Sequence, residues 1–167
     1  MYIDSRKEYS LPTYGFGITR DLLDELGHAN YNALKKHLET ARHRLCKHLG
    51  FGRKNLRKHL NLGLFMVGDS YEYLLPLREN DYVATIHEIS IEGKTKLHIE
   101  LRLVRLSSEA KGGEGFEMRL TNVAHYHMVM VNLKNGRPVR IPSSIVRSIE
   151  LFQREQSEIM NGHAPTR

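Results

Sequence analysis

The sequence contains one cysteine, Cys46, and only five prolines in 167 residues. A lone thiol excludes an internal disulfide and a cysteine-based zinc cluster. Scarce proline, with 40% hydrophobic and 26% charged residues, excludes collagen, coiled-coil and disordered classes. No apolar run approaches the ~18 residues of a membrane span. The opening MYIDSRKEYS lacks the apolar stretch of a signal peptide. Also missing are a Gly-x-Ser-x-Gly elbow, a phosphate-binding loop, a dinucleotide fingerprint and a His-Glu-x-x-His pair. Together these absences point to a soluble chain in a reducing, cytoplasmic setting.

Acidic residues are absent between Thr40 and Gly68, where Arg42, Arg44, Lys47, Arg53, Lys54, Arg57 and Lys58 supply positive charge. The rest of the chain holds 18 basic and 19 acidic residues, so the net +6 is one basic segment on a near-neutral body. Such a segment attracts polyanions: nucleic acid, anionic lipid, a phosphate-bearing cofactor or an acidic carrier protein. Its ordinary reading is a solvated helix end and loop, since Lys and Arg are favoured near a helix C-terminus.

The length predicts one domain, 1–167, with its core at about 14–150 and a loose tail over 160–167. Tyr14 to Ile18 reads as a strand, and Thr19 to His28 as a polar connection. Leu34, Leu38, Ala41, Leu45 and Leu49 recur at steps of three and four, the mark of a helix of roughly five turns. Asn30 suits its N-cap and Gly50 its stop. The period then changes to two, with Leu97, Ile99, Leu101 and Leu103 alternating with His98, Glu100, Arg102 and Val104. Long strands are also expected at Leu64–Leu77, Tyr82–Ile91 and Phe116–Leu133, separated by turn chemistry at Arg78–Asp81, Glu92-Gly93 and Lys111–Gly115. Asn135-Gly136 and Pro138 end the last strand. A second helix starts near Ser143, with Ile145, Ile149 and Phe152 on one side. The layout is α+β: one antiparallel sheet must cover one long helix, because nothing else is available to bury the sheet's apolar face.

The segment Asp24-Glu25-Leu26-Gly27-His28-Ala29-Asn30, followed by Leu38-Glu39-Thr40-Ala41-Arg42, resembles the signature of hotdog-fold acyl-CoA thioesterases of the 4-hydroxybenzoyl-CoA thioesterase type. Tyr71-Glu72-Tyr73-Leu74-Leu75-Pro76-Leu77 with Asp81 is similar to the family's tyrosine, proline-leucine and aspartate pattern. Gly136-Arg137-Pro138-Val139-Arg140-Ile141-Pro142 is similar to its C-terminal close. The likeness runs from about residue 14 to 150. It implies a hotdog fold, an antiparallel sheet wrapped around one long central helix, with a C-terminal helix added. It also implies a homodimer or homotetramer whose site is built between subunits. Tyr31 stands where many members have a second asparagine and Leu34 where they have tyrosine, and Lys35 and Lys36 add charge to the helix. The first two line the acyl end, so acyl length and type stay open.

Thioester cleavage needs water or a nucleophile at the carbonyl carbon and stabilisation of the developing oxyanion. A helix start offers unpaired N–H groups and a positive dipole end. Here the donors are the amides near Asn30, Tyr31 and Asn32, and Asp24 lies just before them. In the resembled family the matching aspartate is nucleophile or general base, and the helix-start amide, at Tyr31, polarises the carbonyl. The bland reading of Asp24 is a turn acid ahead of a helix, and that of Asn30 a plain cap. Gly27 suits a tight turn, and His28 either positions substrate or holds the loop. The resemblance also assigns Lys94, Thr95 and Lys96 to the phosphates and pantetheine of coenzyme A, against a charged hairpin end as the plain alternative.

The expected activity is hydrolysis of an acyl-CoA or acyl-carrier-protein thioester to free acid and thiol. No metal and no cofactor are expected beyond coenzyme A as part of the substrate. His125-x-His127 has ligand spacing on a strand, but a catalytic zinc needs a third ligand, so structural or surface roles are preferred. Cys46 reads as a buried inert thiol. The rival readings are a non-catalytic hotdog module that binds acyl thioesters or a carrier protein, and a nucleic-acid binder. The second is disfavoured, because zinc-finger, helix-turn-helix and aromatic-basic signatures are all missing. A hydratase or dehydratase on the same fold is a lesser alternative.

Overall fold

Leucines at the spacing described above form α1, Tyr31–His48, and Leu34, Leu38, Ala41 and Leu45 have no accessible surface. The helix begins at a capped end, where Asn30 Oδ1 accepts the Ala33 N–H at 3.1 Å. It closes with the Gly50 N–H on the Lys47 carbonyl (3.1 Å) and the Phe51 N–H on that of Cys46 (3.0 Å). Gly50 sits at φ +79°, the left-handed step this closure needs. The computed structural model describes residues 2–3, 14–107 and 116–160. The expected turn at Lys111–Gly115 and the tail at 161–167 lie outside those residues.

Six strands accompany the helix: β1 Tyr2–Ile3, β2 Gly15–Gly17, β3 Leu62–Tyr73, β4 Tyr82–Glu92, β5 Lys96–Ser107 and β6 Phe116–Asn132. They form one sheet in the order β1-β6-β5-β4-β2, with β3 also pairing β6. Inward positions alternate as period two demands: Val83, Thr85, His87 and Ile89 on β4, and Leu97, Ile99, Leu101 and Leu103 on β5, are all buried. Short helices follow α1, namely α2 Arg53–Asn55 and a π-helical turn at Leu56–Leu60, and α3 is Ser143–Met160. This is the hotdog α+β arrangement, an antiparallel sheet wrapped around one long helix. No helix of the described residues is long and apolar enough to cross a membrane.

Most strand ends fall within two residues of those the sequence suggests, and the end of β3 is the larger difference. β3 ends at Tyr73, not Leu77. The amides of Leu74 and Leu75 both turn to the Thr121 carbonyl (2.9 and 3.0 Å), which breaks the ladder, and Pro76 has no N–H to resume it. Lys94 and Thr95 lie in the turn before β5, and only Lys96 is in the strand. The basic segment is also not plain loop beyond α1, since much of it is wound into α2 and the π-helical turn.

Internal contacts divide the chain into two units. The first comprises Met1–Arg42, Ser70–His87 and Leu101–Ala124. In it β2 pairs antiparallel with β4, Gly15 opposite Ala84 and Gly17 opposite Tyr82. A Cβ on Gly15 would fall 2.5 Å from Tyr82 Oη, so a larger residue there would have to turn the exposed Tyr82 ring aside. His37 of α1 stacks on Phe16 with centroids 4.0 Å apart, and its Nδ1 is 2.9 Å from Tyr14 Oη. His87 is 2% exposed; it donates to the Ala41 carbonyl and lies 3.4 Å from Thr85 Oγ1.

The second unit comprises His43–Asp69, Glu88–Glu100 and His125–Arg167. It holds the end of α1, the Glu92–Lys96 hairpin and α3. The apolar side of α3, Ile145, Ile149 and Phe152, is buried. Gln153 Nε2 donates to the Ile89 carbonyl at 2.7 Å, and Phe152 meets His48 edge-on.

Leu38→Ala is expected to lower the unfolding free energy by ~2–5 kcal/mol in a urea titration. Burial holds the His87 pKa down at about 4, against 6.5 for a free imidazole. The unfolded chain therefore binds more protons between those values, and the stability due to a neutral His87 is complete above about 6.5 and lost as pH falls. Roughly 2 kcal/mol should disappear between pH 7 and pH 5. Urea unfolding of His87→Gln over the same range should show that part of the slope removed.

Candidate active site

The Thr19–His28 connection ends in a tight turn wired to itself. The Asp24 N–H donates to the His28 carbonyl (2.9 Å) and the Gly27 N–H to that of Asp24 (3.0 Å). Leu23 and Ala29 form an isolated antiparallel bridge at its base. Gly27 has φ +75° with open space around it, so backbone conformation and not crowding requires glycine there. Asp24 Oδ1 accepts the Leu26 N–H at 2.9 Å and the His28 N–H at 3.0 Å. Its second oxygen, Oδ2, accepts no hydrogen bond among the described residues, and the side chain is exposed. Half of the carboxylate shapes the turn, while the other half is available for chemistry.

Ala29 donates to the Leu77 carbonyl at 2.9 Å, which ties the turn to the segment after β3. Asn30 then caps α1, so Tyr31 is the first helical residue and its amide has no partner within the helix. That amide donates to the hydroxyl of Tyr73. Tyr73 meets Tyr71 edge-on at 4.7 Å, and Tyr71 packs on Tyr31 at 4.8 Å. Lys35 Nζ is 5.8 Å from the Tyr31 ring centre.

Of these rings that of Tyr73 borders an open cleft of about 510 Å³, lined by Asp24, His28, Ala29 and Asn30 from the turn and by Tyr73, Leu74, Leu75 and Pro76 from the end of β3. The His28 backbone holds the turn through both its N–H and its carbonyl, while its imidazole makes no hydrogen bond among the described residues. The structure thus brings Asp24, Gly27, His28, Asn30 and Tyr31 together at the start of α1. Sequence reasoning gave no role to Tyr73, although it stands in the Tyr71–Leu77 motif. No spacing rule links it to an amide 42 residues earlier.

Lys94, Thr95 and Lys96 belong to the second unit, and none of them lines the Asp24 cleft. Their backbone is pinned, with the Thr95 carbonyl accepting the Met130 N–H and the Lys94 carbonyl the Ile141 N–H, both at 2.9 Å. Both lysine side chains are exposed. In the same unit His98 stacks between His125 and His127, with centroids 5.4 and 4.8 Å away. Glu100 lies 3.6 Å from His125, and Glu92 lies 3.5 Å from His127. Partial burial, then the neighbouring His127 and His125, hold the His98 pKa below its ordinary value. Among the described residues no group of three or more His, Cys, Asp or Glu is arranged to hold a metal ion.

Residues 19–149 match the thioesterase-like superfamily. No protein of curated function matches the sequence significantly. Among solved structures, a Staphylococcus aureus protein in complex with coenzyme A is similar at TM-score 0.69 and 18% identity, over 93% of this chain and 87% of that one. A gentisyl-coenzyme A thioesterase is similar at TM-score 0.62 and 21% identity, over 82% of this chain and 98% of that one. The 1,4-dihydroxy-2-naphthoyl-CoA thioesterase of Synechocystis follows at 0.65 and 15%, over 82% and 93%. At these identities the structures establish a shared fold, while the sequence match covers most of the chain. The match over residues 19–149 identifies the protein as a thioester hydrolase that belongs to the thioesterase-like superfamily.

Proposed function

We propose that the chain hydrolyses an acyl thioester of coenzyme A or of a carrier protein, with Asp24 driving the attack and the Tyr31 amide holding the oxyanion. The observation that carries this reading is the half-committed Asp24 carboxylate on the same cleft as the start of α1. Attack on the carbonyl carbon places an electron pair on its oxygen, which a backbone N–H at a positive helix end stabilises. Collapse of that intermediate breaks the C–S bond, and the leaving thiolate takes the proton that Asp24 removed from the attacking water or, on the nucleophilic route, one from solvent. Asp24 serves either as the base that deprotonates the attacking water or as the nucleophile itself, through an anhydride that water then opens. His28 and Asn30 border the space in which the acyl carbonyl would sit.

Coenzyme A is the favoured thiol, because two of the similar structures are named as CoA thioesterases and a third holds CoA itself. The exposed lysines at 94 and 96, with Thr95 between them, supply positive charge and donors suited to its phosphates. A cytoplasmic location accords with such a substrate. We also assign a homodimer to this function, with the partner completing the site. β3 pairs β6 alone among the described strands, and it exposes Phe65, Met66 and Val67 at 52, 41 and 59%. A long apolar edge strand is an aggregation hazard unless a second copy covers it.

The test is thiol release from acyl-CoA thioesters running from acetyl to palmitoyl, with benzoyl-CoA included. Asp24→Asn is expected to lower kcat by roughly 10²–10⁴-fold on the best substrate while the thermal transition stays in place. A wild type that releases no thiol from any member favours the non-catalytic module instead. Val67→Asp is expected to convert a dimer to a monomer in sedimentation and to reduce turnover with it. A wild type that already sediments as a monomer defeats the interface assignment.

A further inference from the structure

We infer that the Tyr73 hydroxyl is a second oxyanion donor, held in readiness by the very amide with which it will share the substrate. This rests on the thioesterase reading of the Asp24 cleft and adds a residue to it. The Tyr73 hydroxyl accepts the Tyr31 N–H, and among the described residues that is its only hydrogen bond. A phenol at neutral pH is protonated and both accepts and donates. Its acceptor side is therefore used and its own proton is uncommitted, in a side chain that lines the cleft. The ring is steadied by edge-on contact with Tyr71, which in turn packs on Tyr31.

A thioester carbonyl that takes the Tyr31 amide must displace the Tyr73 oxygen from it. The displaced hydroxyl remains beside the same donor and turns its O–H onto the incoming oxygen. Two donors then converge on the atom that gains charge as the carbonyl carbon is attacked. No proton leaves Tyr73: it hydrogen-bonds the oxyanion, and the electron pair returns to reform the carbonyl as the C–S bond breaks. In the free protein the same contact keeps the Tyr31 N–H satisfied, so the site stays assembled without substrate.

Tyr73→Phe keeps the ring and deletes only the hydroxyl. With the acyl-CoA that wild type turns over fastest, kcat is expected to fall by roughly 10²–10³-fold, as for loss of one oxyanion donor. KM should stay within about threefold, because the contact strengthens only in the transition state. Unchanged kcat, or kcat/KM above wild type, overturns the assignment and makes Tyr73 a passive cap. Should Tyr73→Phe fail to fold, 3-fluorotyrosine at this position preserves shape and lowers the phenol pKa. The alkaline limb of kcat must then move to lower pH, and a limb that stays put overturns the assignment. Asp24→Asn run alongside separates the two levels. If Asp24→Asn is inactive while Tyr73→Phe retains the wild-type rate, only the Tyr73 assignment falls. If wild type itself is inactive, the thioesterase reading falls and takes Tyr73 with it.

Discussion

Helix α1 buries Leu34, Leu38, Ala41 and Leu45 completely, and a helix seated in that way cannot slide or turn without exposing them. A close-packed interior resists such shifts because each displaced methylene loses its contacts at once. The position of the first helical amide is therefore fixed by side chains well away from it. Asn30 adds a local lock at the cap, and the Ala29 bond to Leu77 fixes the direction from which the chain arrives. The candidate chemistry depends on this placement, since an oxyanion donor is useful only where the charge will develop.

The electrostatics of the site follow from what the first turn of α1 omits. It holds no acidic residue, so no side chain of its own offsets the positive end of the dipole. The nearby carboxylate is that of Asp24, outside the helix, with one of its oxygens committed to two turn amides. This division keeps the carboxylate oriented, while the Tyr31 amide at the helix start is held by the Tyr73 hydroxyl. The basic segment is a separate matter: Arg53, Lys54, Arg57 and Lys58 are exposed on α2 and the turn after it, in the other unit of the chain.

Local rules carried most of the fold. The three-and-four spacing of leucines, the Asn30 cap, the Gly50 stop and the period-two run at Leu97–Leu103 each act over a few residues, and each is where the sequence predicts it. The turn that holds Asp24 was legible through the family resemblance of Asp24–Asn30, with Gly27 suited to a tight turn. The end of β3 was not, because it is decided by Thr121, far along the chain, which draws two successive amides out of the ladder. Tyr73 escaped for a related reason. Its hydroxyl acts through an amide on another element, and nothing in a β-strand pattern tells a surface tyrosine from one bound to a helix start. His98 likewise looked like an outward strand residue until the pairing of β5 with β6 set it between His125 and His127.

Cys46, the only thiol in the sequence, is 5% exposed on the buried side of α1. A sulfhydryl so enclosed reacts with an added disulfide or maleimide only when the helix opens. Chromogenic thiol reagents can accordingly count liberated coenzyme A without consuming the native protein. Under denaturing conditions the same reagents would report the lifting of α1 from its seat, one equivalent per chain.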